Sequence, residues 1–249
     1  MDAIILAAGR GSRLGDLTAQ QPKPLTQLAG KPLLEWQLAA LHDAGVQKIT
    51  LITGYASQKL ESYADLRLYN SDWASSNMVR SLLRADELLR SSPQLVCYGD
   101  IVYRSAIIKA LSASLFDLAI SYDTEWWELW SARFDNPLED AESFQSENGQ
   151  LQSIGLRVND MALIKGQYMG LLKFTPEGWQ QVKSWLETLT AEQVDKLDMT
   201  SLLQNLLQQG ISINTIPVHG GWVEVDNPSD IALYEQKIIA LGWSHDWRD

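Results

Sequence analysis

The chain has 249 residues, 45% hydrophobic and 20% charged, with a net charge of −11, one cysteine and ten tryptophans. The acidic balance excludes nucleic acid and anionic membrane surfaces as expected partners, because both demand a basic face. No apolar run approaches bilayer length, and the lone Cys97 forms no internal disulfide, which fits a cytoplasmic protein.

The length suits one large domain or two small ones, with a sizeable core either way. The first residues lack the basic start and small-residue cleavage site of a signal peptide. Ala3–Ala8 is an apolar run that reads as a buried strand. It ends in Gly9 and Gly11, where the backbone turns sharply and leaves N–H groups uncovered. Arg13 stands in the loop, and Lys23 follows between Pro22 and Pro24. Uncovered amides, a guanidinium and an ammonium together make a trap for a polyphosphate. The string is not a Walker loop, since no Gly-Lys-Ser/Thr triplet follows. Nor is it a dinucleotide fingerprint, because Leu14 occupies the place of the third glycine. A nicotinamide or flavin oxidoreductase is disfavoured on that ground.

The spacing predicts a helix over 33–44, closed by Gly45, then a strand over 46–52 ending in Thr53-Gly54-Tyr55. A short helix over 57–63, a strand over 66–69, an amphipathic helix over 79–89 and a strand over 95–98 follow. That strand runs into Gly99-Asp100. A helix over 107–111 and a strand over 118–121 continue the alternation. Strands alternating with helices imply a parallel sheet covered on both faces, with ligands beyond the carboxyl ends of the strands. Gly9, Gly54 and Gly99-Asp100 all lie just past such ends.

The remainder reads differently. Strands are expected over 151–158 and 168–174 without a helix between them, helices over 177–189 and 199–208, strands over 211–218 and 222–225, and a helix over 231–241. Trp126 and Trp130, four apart, have the spacing of one helical face. Trp243 and Trp247 suit either a contact surface or a tail folded back on its own domain. One domain is expected, with an alternating part over about 1–121, an inserted or appended part over about 122–220, and a last segment, 221–249, that carries Asp226 and a closing helix.

Asp100 and Asp226 both follow strands and stand close to Gly99 and Pro228. Each suits a turn or helix cap by itself, and together they suit a divalent cation held by hard oxygens. Asn77 suits a helix N-cap or a reader of a base edge. The stretch 125–142 mixes tryptophans, acids and Arg133; acids beside aromatic faces suit an ammonium, and an arginine suits a carboxylate or phosphate.

Leu6, Ala7, Ala8, Gly9, Gly11, Arg13, Leu14, Pro22 and Lys23 match a longer string, Leu-Ala-Ala-Gly-x-Gly-x-Arg-Leu followed by Pro-Lys. It resembles the signature of the nucleotidyltransferases that act on sugar phosphates and choline phosphate. The resemblance implies a Rossmann-like α/β fold, a mostly parallel sheet with helices on both faces and a smaller acceptor-binding insertion. It implies nucleotide binding for about 1–121 and acceptor binding for about 122–220. It implies magnesium on Asp100 and Asp226, with Arg13 and Lys23 catalytic. Thr53, Gly54, Tyr55, Asn77, Ser81, Tyr98 and Gly99 are expected with the glycine loop around the nucleotide. The Asn77/Ser81 pattern resembles the cytidylyltransferase branch, which implies CTP. Residues 125–142, 166–171 and 199–204 resemble the cytidylyltransferases of surface-polysaccharide loci, some of which use glutamine phosphate. On that resemblance Trp130, Arg133, Glu142, Gln167 and Tyr168 are expected at a small phosphorylated acceptor. Choline-type relatives often carry Glu where Gln167 stands, which weakens a quaternary ammonium. The other readings are a sugar-1-phosphate nucleotidyltransferase using UTP or dTTP, and a non-catalytic nucleotide-binding module.

Overall fold

The structure, a computed structural model, describes residues 1–64 and 66–248. Its first half follows the expected alternation: β1 (Asp2–Ala7), α1 (Leu33–Asp43), β2 (Ile49–Thr53), β3 (Leu66–Tyr69), α2 (Met78–Leu82), α3 (Asp86–Ser91), β4 (Gln94–Tyr98) and α4 (Ser105–Ala113). The second half supplies β5 (Leu118–Asp123), α5 (Trp126–Arg133), β6 (Glu142–Glu147), β7 (Gln150–Arg157), β8 (Gln167–Phe174), α6 (Pro176–Leu186), α7 (Ala191–Lys196), α8 (Met199–Gln208), β9 (Asn214–Val218) and α9 (Pro228–Lys237).

These strands form one nine-stranded sheet in the order β3-β2-β1-β4-β8-β5-β9-β7-β6. β1 runs parallel to β2 and β4, β2 to β3, and β5 to β9. β8 lies antiparallel between β4 and β5, and the β6–β7 hairpin closes one edge. The segment expected to bind the acceptor is therefore woven into the same sheet.

Helices cover both faces, as β1 shows. Ala3, Ile5 and Ala7 pack with Leu33, Leu34 and Leu41 of α1 and Ile108 of α4. Ile4 and Leu6 point the other way, to Val79, Leu82 and Trp179. A strand buried on both sides has no polar face to present, hence its continuous apolar sequence.

The helix expected over 79–89 is broken into α2, a tight turn at Leu83–Ala85 and α3, yet Val79, Leu82, Ala85 and Leu89 keep one apolar face on the core. α9 starts earlier than the apolar pattern suggests, because Pro228 takes its first turn and Asn227 with Asp230 forms a capping box. The short strand Ile101–Tyr103 escaped the sequence reading. It pairs antiparallel with Trp222–Glu224 as a ribbon outside the main sheet, Glu224 opposite Ile101. The Val225 N–H donates to the Asp100 carbonyl at 2.9 Å. That ribbon brings Asp100 and Asp226 to one place.

The C-terminal tail folds back on the domain. Trp247 meets Trp36 edge-on, with ring centroids 6.1 Å apart, and Trp243 stacks on Tyr234. Its anchor is polar. His245 Nε2 and Asp123 Oδ2 lie 2.8 Å apart with both side chains fully buried. Asp123 Oδ1 accepts from the N–H groups of Gly220 and Glu125, each at 2.9 Å. Burial pushes the Asp123 carboxyl up, but the His245 contact and the two N–H donors outweigh it and hold it below the usual carboxylate range. A depressed pKa stabilises above the unfolded value, about 3.9, and the contribution is lost as pH falls through the lower folded value. Asp123→Asn is expected to cost about 1.5–3 kcal/mol in urea unfolding at neutral pH, with the gap to wild type narrowing below about pH 4. A gap constant across that range would show that the Asp123 charge does not anchor the tail.

Candidate active site

The loop after β1 is shaped by Gly11, whose φ is 71°. A Cβ there would fall 2.7 Å from Lys23 Cβ, so only glycine lets the lysine stem lie against the loop. Thr18 Oγ1 donates to the Gly11 carbonyl at 2.9 Å and fixes the following turn, Ser12–Thr18. The N–H groups of Gly9, Arg10 and Gly11 find no acceptor among the described residues. They are open to an anion, as the sequence suggests.

Lys23 is the hub. Its Nζ donates to Asp100 Oδ2 at 2.8 Å and to Asp226 Oδ1 at 2.7 Å, with its side chain 11% exposed. Arg13 Nη2 reaches the same Asp226 oxygen at 2.9 Å, and its side chain is otherwise open to solvent. Residues 13, 23, 100 and 226, far apart in sequence, thus converge as expected. Burial opposes the Lys23 charge, but Asp100 and Asp226 prevail and raise its pKa. Burial likewise raises Asp226, and Lys23, Arg13 and Arg133 bring it below its ordinary value.

Arg133 corrects one expectation. Its side chain is 0% exposed and lines neither pocket. It pairs with Glu224 through Nη1, with Asp230 through Nε at 3.1 Å, and with Asp226 Oδ2 through Nη2 at 3.5 Å. Asp230 Oδ2 also accepts from the Asp226 and Asn227 N–H groups, at 2.8 and 2.9 Å. Arg133 therefore holds the segment that carries Asp226. Its sequence neighbourhood of acids and tryptophans suggested a ligand contact, because nothing in the sequence shows that Glu224 and Asp230 surround it. Burial pushes the Glu224 carboxyl up, against the pull of Arg133.

Two pockets flank the Lys23 hub. The first, about 220 Å³, is lined by Leu6, Ala7, Ala8, Gly9, Gly11, Lys23, Gly99 and Asp100, and across from them by Asn77 and Ser81. Asn77 is also the N-cap of α2, its Oδ1 accepting from the Met78 N–H at 2.8 Å, so the expected cap is formed by a residue that lines the pocket. Met78, inside the expected stretch 77–81, joins the wall, and Trp73 and Ser76 complete it unforeseen. A tryptophan in the polar run 70–77 was the available signal. Thr53, Gly54 and Tyr55 do not line this pocket. Tyr55 instead donates to the Ala19 carbonyl at 2.6 Å and packs its ring on Trp73, supporting the wall from behind. The β2 end that carries these residues is capped by the Trp73 turn.

The second pocket, about 280 Å³, contains Arg13, Asp226 and Glu224 together with Trp130, Glu142, Gln167 and Tyr168. Tyr98, expected beside the nucleotide, faces this side; its ring meets Tyr168 edge-on at 5.7 Å. Gln167 is engaged by backbone: its Nε2 donates to the Glu142 and Gly166 carbonyls at 2.7 and 3.0 Å, and its Oε1 accepts from the Glu142 N–H at 3.3 Å. Asp140, Arg157 and Thr200 also line the pocket and were missed.

The Asp100 and Asp226 oxygens that meet at the Lys23 ammonium bring two hard donors to a common point. No group of three or more His, Cys, Asp or Glu residues suited to a metal occurs among the described residues. A divalent cation here must complete its shell with water and phosphate oxygens, which magnesium accepts.

Residues 3–153 match the MobA-like NTP transferase domain. The chain is 33% identical over 253 residues to the CTP:phosphoglutamine cytidylyltransferase of Campylobacter jejuni subsp. jejuni serotype O:2, covering 95% of this chain and 100% of that protein. It is 34% identical over 106 residues to the 2-aminoethylphosphonate cytidylyltransferase of Lancefieldella rimae, covering 41% of this chain and 43% of that one. Among solved structures, the inositol-1-phosphate CTP transferase from T. maritima superposes with a TM-score of 0.74 at 18% identity, covering 97% of this chain and 98% of that one. The CTP:phosphocholine cytidylyltransferase of Streptococcus pneumoniae gives 0.71 at 21% identity, covering 95% and 98%. Both likenesses show the fold, a nucleotide-diphospho-sugar-transferase-like sheet. A family match over more than half of the chain, and a relative aligned nearly end to end, place this chain in the MobA-like NTP transferase domain family, as a nucleotidyltransferase.

Proposed function

We propose that the protein is a magnesium-dependent cytidylyltransferase that transfers CMP from CTP to a small phosphorylated or phosphonate acceptor and releases pyrophosphate. The observation that carries this reading is the Lys23 ammonium shared by Asp100 and Asp226, with a glycine-loop pocket on one side and a polar pocket on the other. The choice of CTP is supported by Asn77 in the first pocket and by the relatives named above. Acceptors of the glutamine phosphate, choline phosphate or aminoethylphosphonate type are supported by the second pocket's mixture of acids, arginines and aromatics.

An oxygen of the acceptor phosphate attacks the α-phosphorus. The new O–P bond forms as the bond to the β-phosphate oxygen breaks, and pyrophosphate leaves with the electron pair. No protein group becomes covalently attached, so the protein's work is to position two anions and neutralise growing charge. Gly9–Gly11 offer N–H groups to the triphosphate, and Arg13 takes its β- and γ-phosphates. Lys23 neutralises charge near the α-phosphate. Asp100 and Asp226 would hold magnesium, which would supply Lewis-acid stabilisation of phosphate charge.

The test is pyrophosphate release with each of the common nucleoside triphosphates against glutamine phosphate, choline phosphate, aminoethylphosphonate and hexose 1-phosphates. Turnover with CTP and a small acceptor is expected. Turnover confined to UTP or dTTP with hexose 1-phosphates would replace this reading by the sugar-phosphate one, and CTP affinity without turnover on any acceptor would make the protein a binding module.

A further inference from the structure

The second pocket joins two groups of charge. One is the hub side, Arg13 with Asp226 and Glu224; the other is Asp140, Glu142 and Arg157, with the Thr200 hydroxyl beside them. The second group is built by an irregularity in the sheet edge. Arg157 stands opposite Glu142 in the β6–β7 ladder, but the register slips between Ile154 and Arg157. Gly155 makes the slip possible: its φ is +81°, and a Cβ there would meet Thr200 at 2.9 Å. The slip places an exposed arginine at the rim. Its Nη1 donates to the Glu139 carbonyl at 2.5 Å, and it forms no ion pair among the described residues. Glu142 and Asp140 form none either.

The aromatic rings of the pocket are engaged by the chain itself. Trp130 carries the Arg133 guanidinium over its face at 5.3 Å and donates through Nε1 to Asp140 Oδ2 at 3.1 Å. Tyr98 and Tyr168 meet each other, and Phe144 stacks on Tyr122 with centroids 4.6 Å apart. No open aromatic cage is left for a group that cannot donate hydrogen bonds. Glu142, Asp140 and Arg157 thus line the pocket without a close ion pair among the described residues: two carboxylates, which suit a donor-rich primary ammonium, and a guanidinium, which suits a carboxylate in two-point fashion. Burial pushes the Glu142 carboxyl up, and with Asp198 and Asp140 beside it this prevails over the pull of Arg157 from across the ladder.

Resting on the cytidylyltransferase reading, we infer that Arg157 is a specificity residue that grips the carboxylate of an acceptor whose ammonium lies on Glu142 and Asp140. The acceptor is then an α-amino acid bearing its phosphate at the far end, and a quaternary or carboxylate-free amine is a poor substitute.

The experiment compares wild type, Arg157→Leu and Arg157→Lys with CTP and glutamine phosphate, O-phospho-L-serine, phosphoethanolamine or phosphocholine. Wild type is expected to favour the two amino acids. Arg157→Leu raises their KM at least about tenfold, the scale of a charge-assisted two-point contact, changes kcat little, and leaves phosphoethanolamine unaffected. Arg157→Lys falls between. Equal effects on every acceptor, no effect on any, or a wild-type preference for phosphocholine would overturn the assignment. If wild type releases no pyrophosphate at all, the enzymatic reading fails instead. Calorimetric titration of O-phospho-L-serine into wild type and Arg157→Leu still decides the carboxylate contact, equal affinities overturning it.

Discussion

Lys23→Met is expected to lower kcat with CTP by at least about a hundredfold, the scale of losing one preorganised electrostatic group. Methionine keeps the length and apolar bulk of the stem that packs under Gly11. What is lost is one ammonium bonded at 2.8 and 2.7 Å to both aspartates. That ammonium occupies the point on which the two carboxylates converge, so it competes there with any other cation. Removing it is expected to raise the affinity of the nucleotide-free protein for Mn²⁺ at least about tenfold, since two carboxylates lose a counter-charge that partly buried groups need. Paramagnetic titration of Mn²⁺ checks this without any turnover. A kcat close to wild type would remove Lys23 from the chemistry. An unchanged Mn²⁺ affinity would show that the cation does not sit between Asp100 and Asp226.

The glycine loop was legible in the sequence because it is local. An apolar strand, two glycines, an arginine and a Pro-Lys-Pro segment lie within one short stretch, and their types alone fix what the backbone can do there. The doubly covered sheet was legible for the same reason, since β1 has no polar face. The harder features depend on pairings that the sequence separates widely. The ribbon Ile101–Tyr103 is too short to show a period, yet it joins the two aspartates through Trp222–Glu224. Arg157 is one exposed arginine among others until the slip in β7 is seen, and Gly155, the visible cue, reads equally as a plain strand bend. Tyr55 follows the end of β2, where the sequence places ligands, but its hydroxyl donates to the Ala19 carbonyl and Trp73 takes the wall instead.

Arg133→Met is expected to destabilise the fold by about 3–5 kcal/mol, the cost of leaving buried carboxylates without their partner. In a chain of this size that is a fall in Tm on the order of 10 °C. The fully buried guanidinium faces Glu224, Asp226 and Asp230, and Asp230 in turn caps the Asp226 and Asn227 N–H groups. Loss of the cation leaves three acids facing one another on the segment that carries Asp226. Turnover is therefore expected to fall through kcat, with the acceptor KM little changed, because the residue touches no pocket. Arg133→Lys restores only part of the stability, since an ammonium cannot present the planar fork that spans these acids. Combining Arg133→Met with Glu224→Gln is expected to recover part of the lost stability, as neighbours in one charge network are not additive. Urea unfolding with steady-state kinetics decides between this positioning role and the one the sequence suggested: a raised acceptor KM at unchanged stability would return Arg133 to the acceptor.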